Sequence, residues 1–527
     1  LGEYEKAIEA HSQSVYLYEQ YLMNRNAQRV SKVFLKAEQA TLIVRLIRLG
    51  NAYRQTRKLN QALEQYQHAL NSIEKWGLEY AFMDQLYWNM GDVYHRQNHF
   101  SRALEHFKKA LLIAEGRNSV SVIRDTSLSI GNVLRQTGNA AEALPHYQKA
   151  IQQVESTRSL LQSEEYRQSF FEGRLGVYAS MVGALIESGK PEQAFNYSEH
   201  ARSRAFLDLL GSKAQMSRAK SGLLEEERAL QERLAQINAR LAGEADGETN
   251  GPGLGKDLAA AEQAYNSFLA KVRKQDKEQA SLMSVEPLTL QDVQELIDPR
   301  QTLLEYFVTG TEVFVWVVEK DKLSFRRVAI SKSDLAKQVK ILRELISNPG
   351  DARELNEVSS SLYKSLVQPL LPYITGKELI IVPHDVLHYL PFQALLGAEG
   401  RYLIEKYPIS YLSSASLLQF VKEKRKAAGE RVLAFGNPDL GDPAMDLEFA
   451  ELEAWEVKAV YSQANVFVRK EATEEKSKDL SANHDILHFA THAQLNEDDP
   501  LSSAVLLAKD GKEDGRLEVR EIFGMDL

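Results

Sequence analysis

His484-Asp485-Ile486-Leu487-His488-Phe489-Ala490-Thr491-His492-Ala493-Gln494 reads as a short apolar strand, Ile486 to Ala490, running into a polar turn. An acidic, turn-rich loop follows at Asn496-Glu497-Asp498-Asp499-Pro500, then a second apolar run over residues 504–508. In open parallel α/β sheets the reactive groups collect at the carboxyl ends of strands. His492 stands at such an end, where an imidazole can act as a general base near neutral pH.

Three readings of this stretch compete. His492 can simply cap a strand, as polar residues often do. The four-residue spacing of His484, His488 and His492 also suggests zinc, since a helix would put all three on one face. The helical zinc-protease motif, however, needs Glu directly after its first His, and here Phe489 follows His488 and Ala493 follows His492. On a strand, His488 and His492 lie about 13 Å apart at ~3.3 Å per residue, too far to share a metal. The third reading makes His492 the base of a nucleophile–histidine pair.

Upstream, residues 1–210 carry an internal repeat. Leu49-Gly50-x-x-Tyr53 returns as Met90-Gly91-x-x-Tyr94 and as Ile130-Gly131-x-x-Leu134, with the glycines 41 and then 40 residues apart. A second signature keeps the same period: Ala62, Tyr66, Ala69, then Ala103, Phe107, Ala110, then Ala143, Tyr147, Ala150. A fixed period of small and large apolar residues marks a solenoid of helix pairs, whose inner face binds peptides or proteins. The aromatic positions read as core. Residues 2–15 fit the second helix of an earlier repeat, and Gly189-Lys190-Pro191 marks the turn of a last, divergent one. The pattern resembles the tetratricopeptide repeat (TPR) in a long variant.

Residues 211–298 read as a helical connector: a heptad-like arm over 223–237, a glycine-rich mobile tip over 243–255, and a returning arm over 258–277. From residue 299 the pattern becomes α/β. Strands are expected over 302–308, 312–318, 323–330, 378–382, 408–412, 431–435, 464–468 and 486–490. Helices are expected near 332–347, 351–371, 416–426, 447–461 and 476–481. That interleaving argues for a mainly parallel sheet covered on both faces.

Ile486 through His492, the loop, Pro500-Leu501-Ser502-Ser503-Ala504 and Leu517-Glu518-Val519-Arg520-Glu521-Ile522 together resemble the CHAT domain, a caspase-like family usually attached to TPR repeats. Pro383-His384-Asp385 through Leu395 resembles another stretch of that family. The residues after Glu199, with Arg202 and Arg204, resemble its repeat-to-CHAT junction. The resemblance implies a cysteine endopeptidase needing no metal or organic cofactor. His492 would be the base of a Cys–His dyad and Ala493, where the family usually has Gly, would offer its N–H to the oxyanion. Alanine supplies the N–H, though a positive φ would cost it more. Asn437 and Asp439, at the end of the first core strand, would line the pocket for the residue before the cut bond; a plain strand-to-loop turn is the competing reading. His384 and His388 read as turn residues fixed by prolines, and the two arginines as ion-paired. Nothing marks Ser502 or Ser503 as a nucleophile.

The chain has no cysteine among its 527 residues. The resemblance places the thiol on a strand after residues 504–508 and a helix beginning over 517–523. The reading therefore expects that the chain is a fragment of a longer protein, that the thiol follows Leu527, that an exposed sheet edge flanks His492, and that the fragment is inert. The alternative is a non-enzymatic TPR scaffold with a pseudo-peptidase fold. Net charge is −9 with no long basic run, which argues against general nucleic-acid binding. No apolar run reaches ~18 residues, so no membrane span is expected. The lack of cysteine fits a reducing cytoplasm.

Overall fold

The computed structural model describes residues 2–26, 32–78, 83–159, 175–202, 287–348, 352–424, 429–496 and 502–522, with 230, 264 and 525 singly. Apart from residues 230 and 264, the expected connector arms and tip over 211–286 lie outside the described residues, as does Arg204. The chain divides into two compact units. One contains Leu1–Ala201 and Leu288–Ser410, the other Tyr411–Leu527.

The first unit begins with helices in antiparallel pairs: α1 (Gly2–Asn26), α2 (Lys32–Gln55), α3 (Leu59–Trp76), α4 (Met83–Arg96), α5 (Phe100–Gly116), α6 (Val120–Gln136), α7 (Ala140–Ser159), α8 (Leu175–Glu187) and α9 (191–202). The three repeat glycines occupy equivalent contacts. A Cβ on Gly50 would fall 2.4 Å from the Tyr66 ring, one on Gly91 2.6 Å from Phe107, and one on Gly131 2.6 Å from Tyr147. The rings are buried, as expected of core residues. Neighbouring chemistry follows the ring. The Tyr66 hydroxyl donates to Asn51 Oδ1 (2.6 Å) and that of Tyr147 to Asn132 Oδ1 (2.9 Å). Phe107 has no hydroxyl, and the matching Asp92 instead takes Arg54 at 2.6 Å. Period-spaced contacts bind one repeat to the next: Trp88 Nε1 donates to Ser129 Oγ, and His95 pairs with Gln136.

After α10 (Leu290–Leu296), capped by Thr289, the same unit forms a five-stranded sheet in the order β3-β2-β1-β4-β5. Its strands are β1 (Gln301–Val308), β2 (Val313–Glu319), β3 (Lys322–Val328), β4 (Glu378–Val382) and β5 (Ile409–Tyr411). β1 runs antiparallel to β2 and parallel to β4. β1 and β2 are buried along nearly their whole length because both faces are covered. Leu304, Tyr306 and Val308 pack under α11 (Lys332–Ser347) and α12 (Ala352–Leu366). The alternate residues face α9: Ser198 Oγ donates to buried Glu305 at 2.7 Å, and Trp316 Nε1 donates to Pro191 O at 2.8 Å. Phe195 meets the Trp316 ring edge-on at 6.1 Å. The last repeat helix is therefore a covering layer of this sheet. Residues 288–298, expected in the connector, belong here too, since Asn196 Oδ1 accepts from Leu290 N.

Among the described residues the second unit holds two small sheets. One is parallel, in the order β7-β6-β8, with β6 (Arg431–Pro438) between β7 (Gln463–Arg469) and β8 (Ile486–Ala490). Phe435 stacks between Phe467 and Phe489, with centroids at 5.8 and 5.3 Å. α13 (Ala450–Val460) lies close over Gly436, where a Cβ would fall 2.6 Å from that of Ala454. The other sheet is antiparallel: β9 (Ala493–Gln494), β10 (Ala504–Leu506) and β11 (Arg516–Glu518). Here the sequence reading is corrected. The segment expected to start a helix at 517 is first a strand, turned in by Gly515 at φ +84, and only then α14 (Val519–Ile522). Leu517 faces the core from that strand, opposite Val505. The strands of the α/β part thus fall into one mixed, one parallel and one antiparallel sheet, so the expected parallel arrangement holds around β6 and for the β1–β4 pair.

Candidate active site at the carboxyl ends of β6, β7 and β8

Parallel strands in register bring their carboxyl ends together, and here those ends carry Asn437, Arg469 and His492. β8 ends at Ala490, and Thr491 fixes the turn by donating its hydroxyl to Leu506 O at 2.7 Å. His492 follows, half-buried, with Nε2 2.8 Å from Met445 O. A carbonyl only accepts, so Nε2 carries the proton. Nδ1 then keeps the lone pair and is the basic atom of the ring.

His492 O accepts from Leu506 N at 2.9 Å, which makes that opposed pair the hydrogen-bonded kind. Antiparallel ladders alternate, so the next pair, Ala493 and Val505, is the non-bonded kind. The Ala493 N–H therefore points away from β10. Among the described residues the non-glycines at positive φ are Arg57, Asn98, Asn118, Asp385, Asn437 and Arg469. Ala493 is outside that set, so alanine sits here without left-handed strain. A basic nitrogen and an N–H turned away from the ladder stand on adjacent residues.

Asn437 is 8% exposed and left-handed at φ +43, at a β-bulge where the β6–β7 register shifts. Its Oδ1 accepts from Leu447 N at 3.0 Å. Asp439 is half-buried; its N–H donates to Arg469 O and its Oδ1 accepts from Gly441 N. Both residues expected to shape a pocket thus lie at the carboxyl end of β6, the same sheet edge as His492, each with its Oδ1 taken by a backbone N–H of the loop that follows.

The other histidines go elsewhere. His484 Nδ1 donates to Leu480 O, leaving Nε2 to accept from Asn465. His488 meets Glu453 at 3.0 Å. The three histidines of the strand motif thus share no partner. His384 stacks on Phe307 at 4.5 Å and accepts from Val308 N, a structural role matching its turn reading. Among the described residues, one group has the spacing to hold a metal, Glu474, Glu513 and Glu521. Lys478 Nζ already occupies its centre, 2.7, 3.0 and 2.7 Å from those carboxylates in turn. Sequence reasoning missed Met445 and Arg469. Met445 contributes only a carbonyl, which every residue has; Gly436-Asn437-Pro438 at a strand end was the available signal for Asn437.

Residues 356–527 match the CHAT domain family, and residues 40–115 match the tetratricopeptide repeat. The chain thus carries a tetratricopeptide-repeat region and a CHAT domain, the pairing seen in TPR–CHAT proteins, with helical repeats followed by a mixed α/β part. No curated protein matches it. Similar solved structures include BtubC from P. vanneervenii (12% identity, 38% of this chain and 90% of that one, TM-score 0.25). MamA (17%, 39% and 94%, 0.25) and pilF of Pseudomonas aeruginosa (14%, 54% and 100%, 0.23) are others. Among the described residues no helix is long and apolar enough to cross a membrane.

Proposed function

We propose that this chain is the regulatory and base-bearing part of a cytoplasmic caspase-like cysteine endopeptidase, whose TPR solenoid binds a protein or peptide regulator on its concave face. The observation that carries the reading is His492, held by Met445 O so that Nδ1 is its basic atom, next to an N–H turned away from its ladder. In the reaction, His492 Nδ1 takes the proton of a thiol and the thiolate attacks the substrate carbonyl carbon. The carbonyl oxygen becomes an oxyanion, which the Ala493 N–H binds. Collapse of the adduct breaks the C–N bond, and the His492 proton goes to the departing amine. Water, deprotonated by the same nitrogen, then releases the acid and restores the thiol. Asn437 and Asp439 shape the wall that receives the residue before the cut bond. No metal or organic cofactor takes part.

The 527 residues contain no cysteine, so the reading needs a thiol they do not carry and expects them to be inert by themselves. That same fact favours a second reading, a TPR scaffold with a silent CHAT fold. Mapping new N-termini generated in a cell extract by the parent protein decides between them. The peptidase reading expects new termini that disappear with His492→Ala at unchanged fold. Equal cleavage by His492→Ala rejects the base assignment, and no cleavage by a folded, thiol-bearing parent with its repeat ligand bound selects the scaffold.

A further inference from the structure

Three consecutive residues, Met445-Asp446-Leu447, are each gripped from a different strand of the parallel sheet. His492, after β8, takes Met445 O. Arg469, closing β7, donates to Asp446 Oδ1 at 2.8 Å. Asn437, in β6, accepts from Leu447 N at 3.0 Å. Asn437 and Arg469 both stand at positive φ, +43 and +51. At the strand-end bulge Arg469 is opposed to Pro438, and its carbonyl also accepts from Asp439 N. A left-handed residue turns its side chain out of the strand's alternation, here onto the returning loop. Left-handed backbone costs a non-glycine side chain, arginine more than asparagine, so two such residues at one strand-end seam need compensation. The anchoring of the loop provides it.

We infer that Asn437 and Arg469 are positioning residues for His492. Neither hydrogen-bonds the imidazole; both act through the tripeptide whose carbonyl orients the ring. The inference rests on the peptidase reading for its purpose, but its geometry is independent of it. With Leu447 N held by β6 and Asp446 by β7, the Met445 carbonyl between them and the turn at 443–445 has little freedom. Releasing either anchor frees that carbonyl, and His492 loses the acceptor that fixes its proton on Nε2.

The test uses the 527-residue chain, labelled with ¹⁵N-histidine, and needs neither thiol nor substrate. The His492 Nε2–H proton gives a resolvable resonance only while a hydrogen bond keeps it from exchanging with water. Wild type is expected to show it. Asn437→Gly keeps the left-handed backbone but removes Oδ1, and is expected to lose the resonance. Asn437→Asp keeps an acceptor oxygen and is expected to retain it. Arg469→Gly, which also permits positive φ and removes a half-buried guanidinium, is expected to lose it too and decides alone if Asn437→Gly fails to fold. Absence of the resonance from wild type, or its persistence in the folded glycine variants, overturns the inference. A protein that passes this test but cleaves nothing with its thiol present refutes the peptidase reading instead.

Discussion

The ring of Tyr66 lies against the Cα of Gly50, so close that an added Cβ would sit 2.4 Å from Cε1. Adding a methyl within a helix normally helps by about 0.5–1 kcal/mol, because alanine loses less backbone entropy than glycine. Here the ring would have to move, and its hydroxyl would leave Asn51. Gly50→Ala is expected to destabilise the repeats by about 1–3 kcal/mol through overpacking. Gly91→Ala and Gly131→Ala should do the same. Gly116→Ala, with nothing within 4 Å of the new Cβ, should cost nothing. Urea denaturation of the four variants checks this, and equal effects at all four would remove the packing explanation.

The repeat was legible because it is written twice, in glycine spacing and in the aromatic sixteen residues after each glycine. β4, β8 and α11 fall where apolar runs and turn residues put them, and Ser331 caps α11 by accepting from Asp334 N. What could not be read was long-range. Nothing local in residues 191–202 says that their helix covers the face of β1 and β2. The family resemblance starts a helix at Leu517, yet pairing with β10 makes Arg516-Leu517-Glu518 a strand. His492 was visible as chemistry, whereas the loop that orients it acts through the backbone of Met445.

The contact between α9 and the sheet makes a mechanical prediction. Trp316 is fully buried, and its Nε1–H is satisfied by Pro191 O. Trp316→Phe keeps most of the ring but removes the indole N–H, while Pro191 O keeps its bond within α9, so a cost of about 1 kcal/mol is expected. Trp316→Ala should cost about 3–5 kcal/mol. Because α9 is at once a repeat helix and a layer of the sheet, either change should weaken both parts. Hydrogen exchange on α6 to α9 and on β1 to β2 reads this directly, and protection lost from the sheet alone would contradict it.

His106 and His146 occupy matching places in successive repeats, each directly before the buried ring of the second helix; Gln65 is their counterpart. Burial holds both imidazoles below the ordinary histidine range, with nearby lysines acting in the same direction. A depressed histidine pKa means that the unfolded chain takes up the proton first. Stability from this source is intact above about pH 6.5 and falls as pH drops below it toward the folded values. His106→Gln with His146→Gln should flatten the stability of the repeats between pH 7 and 5 without lowering it at pH 7.5. Thermal melts across that range test it, and an unchanged pH slope would exclude the two histidines as its source.

Lys478 offers the sharpest electrostatic test, because one ammonium serves three carboxylates from three segments. Burial alone would lower its pKa, but Glu474, Glu521 and Glu513 outweigh that and hold it above the ordinary lysine range. Glu474, almost wholly buried, is pushed up by desolvation despite the same lysine. Glu521 is also raised by desolvation, yet hydrogen bonds from Lys478 and the Glu518 N–H leave it lowered overall. The difference follows depth, since the Glu474 side chain is 1% exposed and that of Glu521 31%. A raised lysine stabilises below its unfolded pKa, and the benefit is lost as pH rises through the folded value. The lowered Glu521 stabilises above its unfolded pKa, and that benefit is lost as pH falls through its folded value. Lys478→Met removes the cation and leaves a buried carboxylate beside two others, so a loss of about 3–5 kcal/mol is expected at pH 7. The variant should regain stability on acidification from pH 7 to 5, since the unpaired carboxylates bind protons more readily folded than unfolded. Urea midpoints for wild type and Lys478→Met at both pH values check the sign. A variant whose stability falls on acidification would show that the lysine is not what neutralises this cluster.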